Sequence, residues 1–130
     1  MFKFVKIPQV YDSRGSLFYI NNLKEIPFEI KRIFYVSDVP THQSRGSHAH
    51  KKLQEVLIAL TGSFDVEIAD KTGNAIINLN SKNIGLLLPP SSWRVVKNYS
   101  PGAICLSLCS DELDEDDYLR TWQEFVDYYG

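Results

Sequence analysis

The chain has 130 residues, of which 44% are hydrophobic and 23% charged, and its formal net charge is −2. This length and composition suit one compact domain with a substantial core, so residues 1–130 are predicted to form a single domain. The slight negative charge excludes a general attraction to nucleic acid or to an anionic membrane, so an anionic ligand has to be held by a local group of Arg and Lys side chains. The N-terminus lacks the apolar segment of a signal peptide and no run approaches the ~20 apolar residues of a membrane span, so a cytoplasmic protein is expected.

The first part of the chain predicts three short strands. Residues 2–7 alternate loosely between apolar residues and lysine and end at Pro8, which is typical of an edge strand. Residues 12–15 have the composition of a turn and lead into a strand over residues 16–20. Residues 31–36 predict a third strand whose alternate side chains face opposite sides.

The middle of the chain predicts a series of short strands separated by turns. A continuously apolar run favours a strand buried on both faces, alternation favours a half-buried strand, and a Gly-containing turn at residues 70–74 predicts a hairpin. The strands are predicted over residues 56–60, 63–68, 75–79, 84–88, 93–96 and 103–108. About eight to ten short strands at this spacing predict a β-sandwich or barrel.

Only the C-terminal tail has a helical pattern. Apolar residues recur at three- and four-residue spacing between Tyr118 and Tyr129, and acidic residues at 114–117 precede them, where the helix dipole favours negative charge. The acidic run of residues 111–117 is therefore interpreted as the solvated start of a helix rather than as a group of catalytic carboxylates.

The two cysteines are predicted to be free, buried thiols. Cys105 and Cys109 lie four residues apart in an apolar run, and four residues of strand separate them by about 13 Å, too far for a disulfide. Free thiols agree with a reducing compartment.

Residues 45–55, with the sequence Arg-Gly-Ser-His-Ala-His-Lys-Lys-Leu-Gln-Glu, are the most chemically distinctive stretch. Residues two apart on a strand share a face, so His48 and His50 are expected to point into the same space. Such a pair is either half of a metal site or a site that handles protons. A basic surface loop is the alternative for an isolated His-x-His motif.

The spacing of Gly46, His48, His50, Glu55 and Gly62 resembles the first motif of the cupins. Residues 85–94 resemble a weakened second motif. The likeness extends to the small bacterial sugar 3,4-ketoisomerases in four segments, residues 12–17, 30–35, 45–53 and 114–118. It implies an all-β, cupin-type jelly-roll barrel with a short C-terminal helix.

The resemblance also implies a function. These enzymes move the keto group of dTDP-4-keto-6-deoxy-D-glucose from carbon 4 to carbon 3, and the product feeds an aminotransferase that makes 3-amino sugars for surface polysaccharide such as lipopolysaccharide O-antigen. They are homodimers without a metal. An N-terminal strand whose Phe2 and Phe4 need a sheet to join, followed by a hinge at Pro8, also favours a dimer. The galacto product is slightly favoured, because Arg14-Gly15 resembles that subgroup, while Arg94 resembles the gluco subgroup.

Arg94 argues against a bound metal. A cupin metal site needs the motif histidines, the glutamate and a further histidine from the second motif, and Arg94 stands where many cupins carry that histidine. A guanidinium stays protonated and cannot ligate a cation. No metal and no other cofactor is therefore expected, and Glu55 is then free to pair with a nearby Arg or Lys. A metal-dependent cupin enzyme and a non-catalytic nucleotide-sugar-binding cupin are the alternatives.

The implied isomerisation removes a hydrogen next to a ketone, passes through an enediolate and returns a proton to the neighbouring carbon. Histidine suits this work because its unperturbed pKa is about 6.5. By resemblance, His48 and His50 are the predicted catalytic pair, with Tyr35 as a hydroxyl donor or relay.

Cationic and aromatic residues are candidates for holding the pyrophosphate, the nucleotide or the developing charge on oxygen. The predicted substrate-binding residues are Arg14, Arg32, Arg45, Trp93 and Arg94. Each has a plainer alternative: Arg14 as solvated surface, Arg32 as a partner of the acidic tail, and Trp93 as packing. Tyr35 as a core residue is the corresponding alternative for the catalytic set.

Overall fold

The computed structural model describes all 130 residues. Twelve strands, a short 3₁₀ turn and one α-helix make up the regular structure. In chain order they are β1 (Lys3–Lys6), β2 (Gln9–Asp12), β3 (Gly15–Phe18), β4 (Arg32–Val36), β5 (Arg45–His50), β6 (Glu55–Thr61), β7 (Phe64–Asp70), β8 (Gly73–Leu79), β9 (Ile84–Leu88), β10 (Trp93–Lys97), β11 (Ile104–Cys109), the turn (Glu115–Asp117), β12 (Tyr118–Leu119) and α1 (Trp122–Tyr129).

The strands form two five-stranded antiparallel sheets and a separate hairpin. One sheet has the order β1-β9-β6-β11-β4, the other has the order β12-β5-β10-β7-β8, and β2 pairs with β3 alone. Side chains from both sheets, among them Leu57, Phe64, Val66 and Leu86, pack into one buried cluster between them. The predicted all-β, cupin-type barrel with a short C-terminal helix is confirmed.

Strand β6 is buried on both faces, as its continuous apolar run predicts. Leu57 and Ala59 belong to the cluster between the sheets. Val56 and Ile58 face the other way, into a second cluster covered by the N-terminal segment and the loop before β4. The predicted edge strand at the N-terminus is also confirmed, because β1 lies at the edge of its sheet and pairs with β9.

Strand β4 shows the predicted alternation. Arg32, Phe34 and Val36 are half-buried and line a cavity, while Ile33 and Tyr35 on the opposite face are exposed. Because β4 is the last strand of its sheet, its inner side chains border the space between the sheets. The neighbouring strand β11 carries Cys105 and Cys109, both buried and free, which confirms that part of the prediction.

The C-terminal segment differs from the predicted helix over residues 114–129. The helix begins only at Trp122, where the Thr121 side chain accepts a hydrogen bond from the Glu124 N–H, and Tyr118–Leu119 forms a strand that pairs with β5. Pairing with a sheet edge satisfies backbone groups that one more helical turn would otherwise have satisfied, so tertiary structure overrides the helical spacing. The helix α1 has neither the length nor the hydrophobicity to span a membrane.

Candidate active site

A cavity of about 290 Å³ opens between the two sheets beside β4, β5 and β10. Four arginines line it, Arg32, Arg45, Arg94 and Arg120, and Glu55 is the only carboxylate among the lining side chains. The walls therefore carry an excess of positive charge although the whole chain is slightly negative. Such a cavity suits an anionic ligand or a reaction that develops negative charge.

The two motif histidines lie together on β5, as their spacing predicts. His48 lines the cavity, and His50 is only 2% exposed directly beside it. Their ring centroids are 4.8 Å apart and the ring planes are nearly perpendicular, at 87°. In this edge-to-face arrangement the His48 ring lies at the cavity wall and the His50 ring packs against it from behind.

His50 is held by residues from the C-terminal segment. Its Nδ1 lies 3.0 Å from Oδ2 of Asp117, whose side chain is 4% exposed. The same carboxylate accepts hydrogen bonds from the backbone N–H groups of Lys52 and Leu53, at 2.8 Å and 3.3 Å. The hydroxyl of Tyr129 donates to the carbonyl oxygen of His50 at 2.6 Å. The interpretation of the acidic run as solvated is therefore wrong for Asp117, because the β12–β5 pairing carries this residue inward.

Both histidines are held in the neutral form. Burial, and next the positive charge of Arg94, lower the pKa of His50 to about 3. The same two causes, in the same order, lower the pKa of His48, while a hydrogen bond with the backbone of Gly46 acts in the opposite direction. A neutral imidazole has one free lone pair, so each ring presents one nitrogen that can act as a base, and burial means that its protonated form needs a neighbouring negative charge to be stable.

Glu55 and Arg94 form a buried ion pair in the cavity floor. Nη1 of Arg94, a residue only 1% exposed, donates to Oε1 of Glu55 at 2.8 Å, and the Ser107 hydroxyl donates to the other carboxylate oxygen. Nε of Arg94 donates to the carbonyl oxygen of Ser92 at 3.2 Å. A buried pair of this kind is sustained only when such extra hydrogen bonds satisfy both partners. The expected pairing of Glu55 with an arginine is confirmed.

The same geometry tests the residues against a cupin metal. Both oxygens of Glu55 are already bonded, and a guanidinium occupies the position that a fourth ligand would take. No group of three or more His, Cys, Asp or Glu side chains is arranged to hold a metal ion. The residues present do not fit a divalent metal.

Arg32 and Arg45 lie where a substrate would meet them. Both line the cavity, and Nη1 of Arg32 is buried without a hydrogen-bond partner in the protein. The guanidinium of Arg32 lies 4.8 Å from the centre of the Phe34 ring, and it forms no ion pair with the acidic tail. An unsatisfied buried donor facing a cavity marks a place for an oxygen atom of a ligand.

Three predicted site residues do not line this cavity. Tyr35 is 68% exposed on the outer face of β4, because the strand alternation that turns Phe34 inward turns Tyr35 outward. Trp93 immediately precedes Arg94 on β10, so its side chain points to the other face and packs against Trp122 of α1. Arg14 is exposed at the tip of the β2–β3 hairpin, where it pairs with its neighbour Asp12.

Two cavity residues were missed by the sequence reasoning. The ring of Tyr118 lies 5.2 Å from the His48 ring and 4.6 Å from the His50 ring, and the Arg120 guanidinium lies 4.1 Å above Tyr118. Glu115 holds Arg120 through an ion pair at 2.7 Å. Tyr118 reaches the site because β12 pairs with β5, a contact across about 70 residues of chain that no local pattern predicts. Only the resemblance of residues 114–118 pointed to this segment.

An antiparallel double-sheet barrel, with a neutral histidine pair on one wall of an arginine-rich cavity, defines a cupin-type protein equipped for proton transfer. The family model described as "FdtA: WxcM-like, C-terminal" matches residues 1–130. The chain belongs to this family.

Named relatives agree with the family. A protein of Aneurinibacillus thermoaerophilus named TDP-4-oxo-6-deoxy-alpha-D-glucose-3,4-oxoisomerase is 41% identical over 97% of this chain and 91% of its own length. A 3,4-ketoisomerase from Helicobacter canadensis is 43% identical, with a TM-score of 0.95 over 98% of this chain and 96% of that one. A histidine-to-asparagine mutant of the 3,4-ketoisomerase QdtA from Thermoanaerobacterium thermosaccharolyticum, in complex with TDP-4-keto-6-deoxyglucose, is 34% identical, with a TM-score of 0.96 over 98% of this chain and 93% of that one.

Proposed function

We propose that the protein is a sugar 3,4-ketoisomerase that moves the keto group of TDP-4-keto-6-deoxyglucose from carbon 4 to carbon 3. The observation that carries the proposal is His48, a neutral imidazole on the wall of an arginine-rich cavity, in a chain 41% identical to a named 3,4-oxoisomerase. Proton transfer at a carbon beside a ketone needs a base of this kind and a cationic environment for the resulting charge.

His48 acts as the base in this scheme. Its free lone pair takes the hydrogen of carbon 3, the electron pair of that bond forms a carbon 3–carbon 4 double bond, and the carbonyl electrons move to oxygen 4. Oxygen 4 takes up a proton, the hydroxyl proton of oxygen 3 leaves, carbon 4 receives a proton, and carbon 3 becomes the ketone. Two protons thus leave the substrate and two return. No atoms or electrons are gained overall, so no redox cofactor enters the balance. His50 beside His48 is the second group able to hold a proton.

The arginines stabilise the enediolate and hold the substrate. Arg32 offers an unsatisfied Nη1 to the developing oxyanion, where a donor placed in advance contributes most. Arg45 and Arg120 are candidates for the pyrophosphate, because both line the cavity and guanidinium groups bind phosphate oxygens in pairs. Arg94 contributes positive charge from the floor while it remains paired with Glu55.

Catalysis is proposed to need no metal and no other cofactor, since the donor set around Glu55 is closed by Arg94 and Ser107. Metal analysis of protein purified without chelator, followed by assay in EDTA, tests this. Full activity in EDTA with substoichiometric metal is expected. Stoichiometric iron, zinc or manganese whose removal abolishes turnover would instead support the metal-dependent cupin alternative.

A homodimer is part of the proposal. Strand β1 pairs with β9 of its own chain, so the N-terminal strand does not itself require a partner. Support comes instead from the β2–β3 hairpin, which joins neither large sheet and exposes Val10 and Leu17. Exposed apolar side chains on a hairpin outside the two sheets favour a surface that pairs with a second copy.

We propose that carbon 4 of the product has the galacto arrangement, and Arg14-Gly15 is the feature that supports this. The product is proposed to be a precursor of 3-amino sugars in surface polysaccharide. Arg14 lies outside the cavity of its own chain, so any effect on the sugar has to come through a partner subunit. Proton coupling constants of the product sugar distinguish the two arrangements, and a large coupling between the ring protons at carbons 4 and 5 would identify the gluco product instead.

Incubation with TDP-4-keto-6-deoxyglucose, followed by proton NMR and by coupling to a 3-aminotransferase, tests the function itself. The expected result is a 3-keto product, with the carbon 3 hydrogen exchanging in deuterated water. Tight binding of the TDP-sugar without product and without exchange would identify a non-catalytic binding cupin.

A further inference from the structure

The buried carboxylate of Asp117 has no part in the isomerisation scheme, although it lies 3.0 Å from Nδ1 of His50. We propose that Asp117 is a positioning residue that keeps the proton of His50 on Nδ1, so that Nε2 carries the free lone pair. The catalytic meaning of this inference rests on the proposed function. The protonation state of His50 does not, and it can be measured separately.

The hydrogen bonds around Asp117 leave little choice of tautomer. Its two oxygens accept hydrogen bonds from the backbone N–H groups of Lys52 and Leu53, and these donors favour the ionised carboxylate. An ionised carboxylate only accepts hydrogen bonds. The nitrogen of His50 that faces Oδ2 therefore has to donate, which puts the single proton of the neutral ring on Nδ1.

The backbone of His50 is fixed as firmly as its ring. Tyr118 lies opposite His50 in the β12–β5 pair, and the N–H of Lys51 donates to the carbonyl oxygen of Asp117 at 2.9 Å. From α1, the Tyr129 hydroxyl reaches the carbonyl oxygens of His50 and Lys51 at 2.6 Å and 3.2 Å. With backbone and Nδ1 both held, Nε2 can point in only one direction.

A fixed Nε2 has a use in this cavity. The His48 ring stands edge-on to His50 at a centroid distance of 4.8 Å, and Tyr118 contacts both rings. When His48 takes a hydrogen from the substrate, a neighbouring imidazole with a bare nitrogen can accept or return a proton, whereas one with its proton on Nε2 cannot accept it there. The carboxylate of Asp117 thus determines that Nε2 is the nitrogen of His50 that can exchange a proton in the cavity.

A purely structural role for Asp117 is the competing explanation. The carboxylate would then serve only to satisfy Lys52 and Leu53 in the turn after β5. Such a role predicts that folded Asp117→Ala keeps the His50 tautomer and the kcat of the wild-type protein. The tautomer and kcat of this variant therefore distinguish the two explanations, and loss of stability does not.

Nitrogen-15 NMR of the imidazole groups at neutral pH tests the proposal, with the His50 signals assigned by their absence in His50→Asn. In the wild-type protein we expect a proton on Nδ1 and a bare Nε2. In Asp117→Ala we expect the proton to be shared between both nitrogens, and kcat to fall by about 10²-fold with KM little changed.

Asp116→Ala is the matched control. Asp116 is the adjacent aspartate, it is exposed, and its side chain makes no hydrogen bond, so its loss should leave the His50 signals and kcat as they are. Should Asp117→Ala fail to fold, Asp117→Asn retains one acceptor for the backbone without the charge, and its kcat should still fall.

A wild-type spectrum with the proton on Nε2 of His50 overturns the proposal whatever the variants do. So does an unchanged tautomer in folded Asp117→Ala. If the wild-type protein lacks isomerase activity but shows the Nδ1 proton held by Asp117, the proposed function has failed and the positioning of His50 stands.

Discussion

Among single residues, the two motif histidines are the most direct targets for substitution, His48 on the cavity wall and His50 directly behind it. His48→Asn and His50→Asn keep approximate volume and hydrogen bonding but remove the basic nitrogen, so we expect turnover to fall by about 10²-fold or more while dTDP binding changes little. His48→Asn should also lose exchange of the carbon 3 hydrogen in deuterated water, because His48 is the one that lines the cavity. Steady-state kinetics, calorimetry and NMR exchange supply the measurements.

His42→Asn is the control for this pair. His42 is exposed in the loop between β4 and β5, so its loss should leave turnover unaltered. Near-normal isomerisation by both motif variants, or the loss of folding in both, would show that these histidines do not move the protons.

The burial of His50 also predicts how stability depends on pH. Its pKa is lowered to about 3 in the folded protein, whereas an unfolded chain has the ordinary value near 6.5. Between these values the unfolded state binds a proton that the folded state does not. The contribution of His50 to the free energy of unfolding is therefore fully present above about pH 6.5. It is lost as the pH falls toward 3, by about 1.4 kcal/mol per pH unit.

Denaturant unfolding between pH 4 and 7 measures this effect. His50→Asn should show a shallower fall in the free energy of unfolding than the wild-type protein, and His42→Asn should show the same fall as the wild-type protein. Parallel curves for His50→Asn and wild type would mean that His50 titrates normally in the folded state.

At the scale of elements, α1 supports β5, the strand that carries His48 and His50. Phe125 is buried against Ala49 of β5 and Leu119 of β12, and it brings Tyr129 to the His50 backbone. Phe125→Ala removes this anchor, so we expect a loss of about 3–5 kcal/mol in stability together with a lower kcat. Thermal melts and kinetics on the same preparation report both.

Val126→Ala on the same helix is the comparison. Val126 is partly exposed and lies outside the cluster of Ala49, Leu119 and Phe125. Its truncation should therefore lower the free energy of unfolding by much less than Phe125→Ala does and should leave kcat unchanged. If Phe125→Ala weakened stability but left kcat intact, α1 would be a cover for the barrel rather than a support for the site.

For the whole molecule, the oligomeric state is the decisive measurement. Light scattering at micromolar concentration should give about 30 kDa, twice the chain mass of 14.9 kDa. Leu17→Asp, which puts a charge on the exposed hairpin, should shift the mass toward that of one chain, because an unpaired charge in an apolar interface is costly.

Ile76→Asp is the control for the hairpin. Ile76 is equally exposed but lies on β8, at the edge of the other sheet, so the charged variant should remain dimeric. A monomeric wild-type mass would contradict the dimer, and dissociation by Ile76→Asp alone would move the interface away from the hairpin.

The sequence by itself determined the barrel and half of the site. Alternation on β4 and β7 and the apolar run of β6 specify which faces are buried, because side chains on a strand alternate whatever the rest of the chain does. The spacing of His48 and His50 places them together for the same reason. The chemistry of Arg94, which cannot lose its proton and so cannot be a ligand, likewise argues against a metal from the sequence alone.

Only the tertiary structure decided the rest of the site. Asp117, Tyr118 and Arg120 reach the histidines through a two-residue strand that pairs with β5, and a pattern typical of a helix hides that strand in the sequence. Tyr35, the predicted hydroxyl donor, and Trp93, a predicted substrate-binding residue, lie outside the cavity because their strand parity turns them away from it. Local periodicity determines which face of a strand each side chain occupies. Which distant segment packs against that face depends on long-range strand pairing, and no short stretch of residues encodes the free energy of that pairing.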